Sequence, residues 1–156
     1  MGDEKNGAAL GRSLEDFHMR LMRAFHAQRA YLKPSVDGLG LGPGQAKLLV
    51  YLAVHGPSSQ REVAGFFETD PASVSRMFDS LERSGFVTSA PGRDRRTKAL
   101  ELTERGRDAA ARWELACDDE QEVMLGGFSP EEEAAFADYL SRARANLRRA
   151  AEGREA

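Results

Sequence analysis

Apolar residues recur at steps of three and four along most of this chain, and the rhythm stops at glycine, proline or a capping residue. Leu14, Phe17, His18, Leu21, Met22 and Phe25 lie on one stripe, the spacing of a helix that hides a single face. Ser13, followed by Glu15 and Asp16, predicts its N-cap and acidic first turn. A residue before proline is pushed out of the helical region, so this helix is expected to end near Lys33-Pro34, with residues 35–44 a glycine-rich loop. A second helix over Gln45–His55 is apolar around most of its circumference (Ala46, Leu48, Leu49, Tyr51, Leu52, Val54) and should sit centrally in a core. Gly56-Pro57 ends it.

Ser59-Gln60-Arg61-Glu62 is a capping box opening a short third helix with Val63, Ala64, Phe66 and Phe67. Thr69-Asp70-Pro71 places a cap and then proline at the first helical position of a fourth helix, which carries Val74, Met77, Phe78 and Leu81 on one face. Gly85 is its expected C′ residue. Two short strands follow, Phe86–Ser89 and Ala99–Leu102, the second clearly alternating. Thr103 is expected to cap a fifth helix, with Ala109, Trp113, Ala116, Cys117, Val123 and Met124 near one face. Gly126-Gly127 breaks it. Ser129-Pro130-Glu131-Glu132 starts a sixth, along which Phe136, Leu140, Ala143 and Leu147 repeat at helical spacing.

The predicted order is α-α-α-α-β-β-α-α: mainly α with a small β-hairpin. Residues 1–12 read as a disordered tail. Residues 43–103 can form their own core. The segments 13–34 and 104–152 carry apolar stripes too wide for so small a domain to bury, which predicts a helical dimerisation region. The fold class is therefore an α/β winged helix-turn-helix, with N- and C-terminal helices that pair two copies.

Charge sharpens that picture. The chain of 156 residues has a formal net charge of −3, so a general basic coating is excluded and local distribution matters. Arg93, Arg95, Arg96 and Lys98 crowd the hairpin tip against Asp94 alone, while Asp118, Asp119, Glu120 and Glu122, then Glu131–Glu133, concentrate negative charge elsewhere. A helix-turn-helix joined to a cationic hairpin suits duplex DNA: a helix enters the major groove and the tip reaches phosphates or the minor groove. The candidate reading helix is 70–84 and the candidate wing 90–98. Ser59, Gln60, Ser73, Ser75 and Arg76 are the expected contacts of the helical part, and Arg93, Asp94, Arg95, Arg96 and Lys98 those of the wing. Serine hydroxyls suit phosphate or base edges, and arginine can bind guanine through two hydrogen bonds. Taken alone, the serines are ordinary helix-surface residues, Arg76 could pair with Asp79, and a cationic tip is a solvated turn. Their succession in one segment favours DNA. Arg95 or Arg96 is expected in the minor groove, with Asp94 holding a neighbouring arginine.

These blocks resemble the MarR-type (multiple antibiotic resistance regulator) winged helix-turn-helix transcription factors. The resemblance rests on Ser59–Ala64, Asp70–Arg76, Leu81–Val87 and above all Asp94–Gly106, an Asp-Arg-Arg wing tip running into a strand that ends Leu-Thr-x-x-Gly. It implies a homodimer built from the first and last two helices, a fourth helix in the major groove and a wing in the minor groove. It also implies a palindromic operator, repression, and release by a small aromatic or phenolic effector. The effector pocket it suggests would draw on His18, Met22, His26 and Trp113. The oxidation-sensing branch carries its reactive cysteine in the first helix, where this chain has none; its one cysteine is Cys117.

Other chemistries find little purchase. The three histidines, His18, His26 and His55, lack the spacing of a metal site, so no metal and no cofactor is expected. Acidic neighbours disfavour a thiolate at Cys117, which reads as structural. No phosphate loop or nucleophile elbow is present, which argues against an enzyme. The absence of a long apolar run and of a secretory leader predicts a cytoplasmic protein away from the membrane. The competing expectation is a winged-helix protein-interaction scaffold whose acidic later helices dock a basic partner.

Overall fold

The computed structural model describes residues 16–42, 44–91 and 98–155. Their elements run α1 (Phe17–Gly38), α2 (Gln45–His55), α3 (Gln60–Phe67), α4 (Pro71–Arg83), β1 (Val87–Pro91), β2 (Lys98–Leu102), α5 (Glu104–Met124) and α6 (Pro130–Glu155). The expected mainly helical winged helix with one antiparallel hairpin is what the chain adopts. Among the described residues no helix is long and apolar enough to cross a membrane.

The chain divides into two compact units after Glu120, within α5. In the first, α2 supplies Ala46, Leu48, Leu49 and Leu52 to a core completed by Val63 from α3, Val74, Phe78 and Leu81 from α4, and Leu100 and Leu102 from β2. Val54 departs from the expected central role of α2: it is 69% exposed, because the core takes only one side of that helix. β1 and β2 pair from Val87↔Leu102 to Pro91↔Lys98, so the first strand starts one residue later and runs two residues further than predicted. Ser58 adds an isolated bridge to β2, exchanging both backbone hydrogen bonds with Leu100 at 3.1 and 2.9 Å.

The first helix corrects two expectations. Its cap among the described residues is Asp16, which accepts from the Met19 amide at 3.1 Å; Ser13 and Leu14 lie outside them, as does the predicted tail. It also passes through Pro34 and ends at Gly38 rather than near Lys33. Proline removes one backbone donor, but the turn after it is held on several sides. The Leu39 amide reaches the Ser35 and Val36 carbonyls at 3.2 Å, Lys33 and Asp37 pair across the proline at 2.5 Å, and Val36 and Leu39 pack on the core. Tertiary anchoring overrides local preference here.

The start of α5 is bound tightly to the end of α4. Thr103 Oγ1 accepts from the Gly106 amide at 3.1 Å and donates between the carbonyls of Gly85 (2.7 Å) and Phe86 (3.1 Å). The Arg105 guanidinium lies 4.2 Å from the Phe86 ring centre and donates to the Ser84 carbonyl at 2.5 Å. Gly106 passes so close to the Phe86 carbonyl that a β-carbon would stand 2.0 Å from its oxygen. That approach explains the glycine of the Leu-Thr-x-x-Gly segment.

The second unit, Gln121–Ala156, turns at Gly127 (φ 90°) and starts α6 with the expected capping box. The Ser129 amide donates to Glu132 at 2.8 Å and the Glu132 amide to Ser129 Oγ at 3.3 Å. Phe136, Tyr139, Leu140 and Leu147 are exposed along α6.

Candidate nucleic-acid interface

Local chemistry fixes the helix-turn-helix. Ser59 caps α3 in a reciprocal box: its amide donates to Glu62 at 2.7 Å and its Oγ accepts from the Glu62 amide at 3.3 Å. Glu68 closes that helix in the left-handed region at φ 51°, ψ 41°. Asp70 then caps α4, accepting from the amides of Ala72 (3.3 Å) and Ser73 (2.8 Å). Hydrogen bonds from the Ser73 side chain and from those two amides, with Arg76 nearby, hold the Asp70 carboxyl below the usual range.

The first turns of α4 carry a linked polar set, with Asp70 and Arg76 exposed and Ser73 half-buried. Arg76 Nη2 donates to Ser73 Oγ at 2.9 Å and lies 4.0 Å from Asp70 Oδ2, rather than pairing with Asp79. The guanidinium is thereby laid along the positive end of the helix, facing solvent. Helical geometry puts exposed Ala72, Asp79 and Arg83 on the same outward face, with half-buried Ser73 and Ser75 at its margins. The first three were missed as interface candidates, although their spacing around Arg76 would have found them.

The wing is fastened to this helix. Glu82 accepts from Ser89 Oγ at 2.8 Å and from Lys98 Nζ at 3.4 Å. These contacts, the serine first, lower the pKa of its carboxyl. Lys98, expected among the DNA contacts, thus sits at the root of the hairpin on Glu82. Nothing in the spacing of residues 82, 89 and 98 announces this. Arg93, Asp94, Arg95 and Arg96 lie outside the described residues. Ser59 is engaged in its cap, and Gln60 beside it is half-buried.

The residues expected to form an effector pocket are not brought together. His18, Met22 and His26 are exposed on α1. Trp113, in contrast, lines an open cleft of about 660 Å³ between α2, α3 and α5, together with Tyr51, His55, Phe66 and Phe67. Cys117 also lines it; burial first, then Glu120, Asp118 and Glu114, push its thiol pKa up, which disfavours the thiolate. Among the described residues no cluster could hold a metal ion.

Comparison with known proteins agrees with this architecture. The MarR family pattern matches residues 41–98, from before α2 to the start of β2. The crystal structure of the transcriptional regulator PA3341 superimposes with a TM-score of 0.75 at 30% identity, over 86% of this chain and 99% of that one. A MarR family transcriptional regulator from Listeria monocytogenes, complexed with 26mer DNA, shares the fold at TM-score 0.78 and 21% identity, over 85% and 89% of the two chains. An uncharacterized HTH-type transcriptional regulator of Bacillus subtilis, YybA, is 29% identical over 112 residues, 71% of this chain and 75% of that protein. With the capped helix-turn-helix, the hairpin fastened to α4 and this kinship, the chain belongs to the MarR family of DNA-binding transcriptional regulators.

Proposed function

We propose that this protein is a cytoplasmic, homodimeric repressor that binds a palindromic operator and is released by a small-molecule effector. In this reading α4 enters the major groove, and the wing meets the adjacent minor groove through Arg95 or Arg96. The observation that carries it is the Asp70–Ser73–Arg76 chain at the start of α4, which ends on an exposed guanidinium. It holds a guanidinium ready for a base edge without a buried partner to give up. The Listeria relative complexed with DNA supports the same use of the fold.

Dimerisation is supported by α1, a 22-residue helix with no fully buried residue, on which Phe17 is 71% and Phe25 52% exposed. Apolar faces of this kind mark association surfaces. Twofold pairing would set two reading helices about 34–36 Å apart, one duplex turn. Segments 13–34 and 104–152 are the proposed pairing region, and 43–103 the reading head.

Electrophoretic mobility shift with the DNA flanking its own gene tests the reading. Sequence-selective binding that weakens steeply with salt is expected. Arg76→Ala should relax selectivity at one base pair by about 1–3 kcal/mol, and Arg96→Ala should flatten the salt slope by about one. Absence of a shift at every salt concentration would favour a scaffold that binds protein instead.

A further inference from the structure

The cleft beside the reading head has a chemical character of its own. Four of its rings are in mutual contact: Tyr51 lies 4.4 Å from His55, 4.9 Å from Phe66 and 5.9 Å from Phe67, and Phe66 meets Phe67 edge-on at 5.0 Å. Trp113 contributes a fifth ring from α5. The cleft volume of about 660 Å³ is that of a site for a drug-sized molecule.

Its charges are unequal. Glu114 and Asp118, one helical turn apart on α5, both line the cleft, and among the described residues neither takes part in an ion pair. The single lysine there, Lys47, places its ammonium 4.7 Å from the centre of the Phe67 ring. The aromatic wall therefore already accommodates a cation on its face. Burial first, and then Glu120, Asp118 and Glu114, raise the pKa of the Cys117 thiol on the same side of the cleft.

We propose that this cleft binds a hydrophobic organic cation, an aromatic body carrying a quaternary or protonated centre, a narrower class than the small aromatic or phenolic compounds that the family resemblance suggests. The rings take the body, their electron-rich faces and the two carboxylates take the charge, and an anion would meet Glu114 and Asp118 unfavourably. The inference deepens the effector reading above by naming the ligand class, but binding itself can be measured without DNA.

Trp113 is the only tryptophan of the chain, so its fluorescence reports on the cleft directly. The probes are tetraphenylphosphonium and tetraphenylborate, matched in shape and opposite in charge. Saturable quenching is expected for the phosphonium, roughly tenfold tighter than for the borate. The double variant Glu114→Gln, Asp118→Asn alters only exposed side chains and should erase that preference, while Lys47→Met should enlarge it. Equal or tighter binding of the borate, no saturable response to the phosphonium, or a preference unchanged in the double variant would each overturn the assignment. A mobility shift with the same cation is read separately. Quenching without release of DNA upholds the cleft and removes effector release from the functional reading.

Discussion

Replacing Gly106 with alanine sets two opposing effects against each other at one backbone position. Gly106 lies in the first turn of α5, where alanine is intrinsically preferred by about 1 kcal/mol. A β-carbon there would stand 2.0 Å from the Phe86 carbonyl oxygen and 3.1 Å from Leu102 Cδ2. A backbone oxygen cannot swing aside, so relief requires α5 to move away from Phe86 by about 1 Å or more. That movement strains the bonds which the Phe86 carbonyl accepts from the Thr103 amide and hydroxyl, both at 3.1 Å. Each is worth about 1 kcal/mol net, and overpacking adds about 1–3 kcal/mol. The clash should outweigh propensity by about 2–4 kcal/mol, a fall in Tm of about 5–15 °C for a chain of this length. Gly65→Ala is the matched control: it lies within α3, nothing stands within 4 Å of a β-carbon there, and the substitution should be neutral or stabilising. Thermal melts followed by circular dichroism, at one protein concentration, decide the matter. A Gly106→Ala protein melting at or above the wild type would refute the close approach.

Two further outcomes follow from the same contacts. The Asp70 carboxyl is held below its ordinary range in the folded chain, so its stabilising contribution is complete above the unfolded value of about 4 and is lost as pH falls through the lower folded one. Asp70→Asn should therefore flatten the loss of stability below about pH 4, as read by denaturant titrations at stepped pH; an unchanged slope would show that the cap does not titrate with folding. Phe25→Glu places a charge on the exposed α1 stripe and should shift the mass in light scattering from twice 17.1 kDa to 17.1 kDa; an intact dimer would move the pairing surface elsewhere.

Features visible in the sequence were those made by residues a few positions apart. Ser59 with Glu62, Asp70 with Pro71, and Ser129 with Glu132 announce helix starts because cap and partner lie within one turn. Pro34 misled for the converse reason: its local veto is real, but Val36 and Leu39 are fixed by a core that no window around residue 34 reveals. The Ser58–Leu100 bridge and the Glu82 contacts to Ser89 and Lys98 join positions whose proximity is set by the fold alone. The cleft was hidden similarly. The apolar circumference of α2 indicated burial all round, whereas its Lys47, Val50, Tyr51 and Val54 side faces Trp113 across open space.

The attachment of the hairpin to α4 through Glu82 separates fixing from reading. Glu82 points toward the strands, about a quarter-turn around α4 from the outward face of Ala72, Arg76, Asp79 and Arg83. An altered operator preference can therefore arise by exchanging outward residues alone, because the bracket that aims the hairpin is not among them. Conversely, whatever tilts α4 carries the root of the wing with it, so a signal acting on this head turns both implements together.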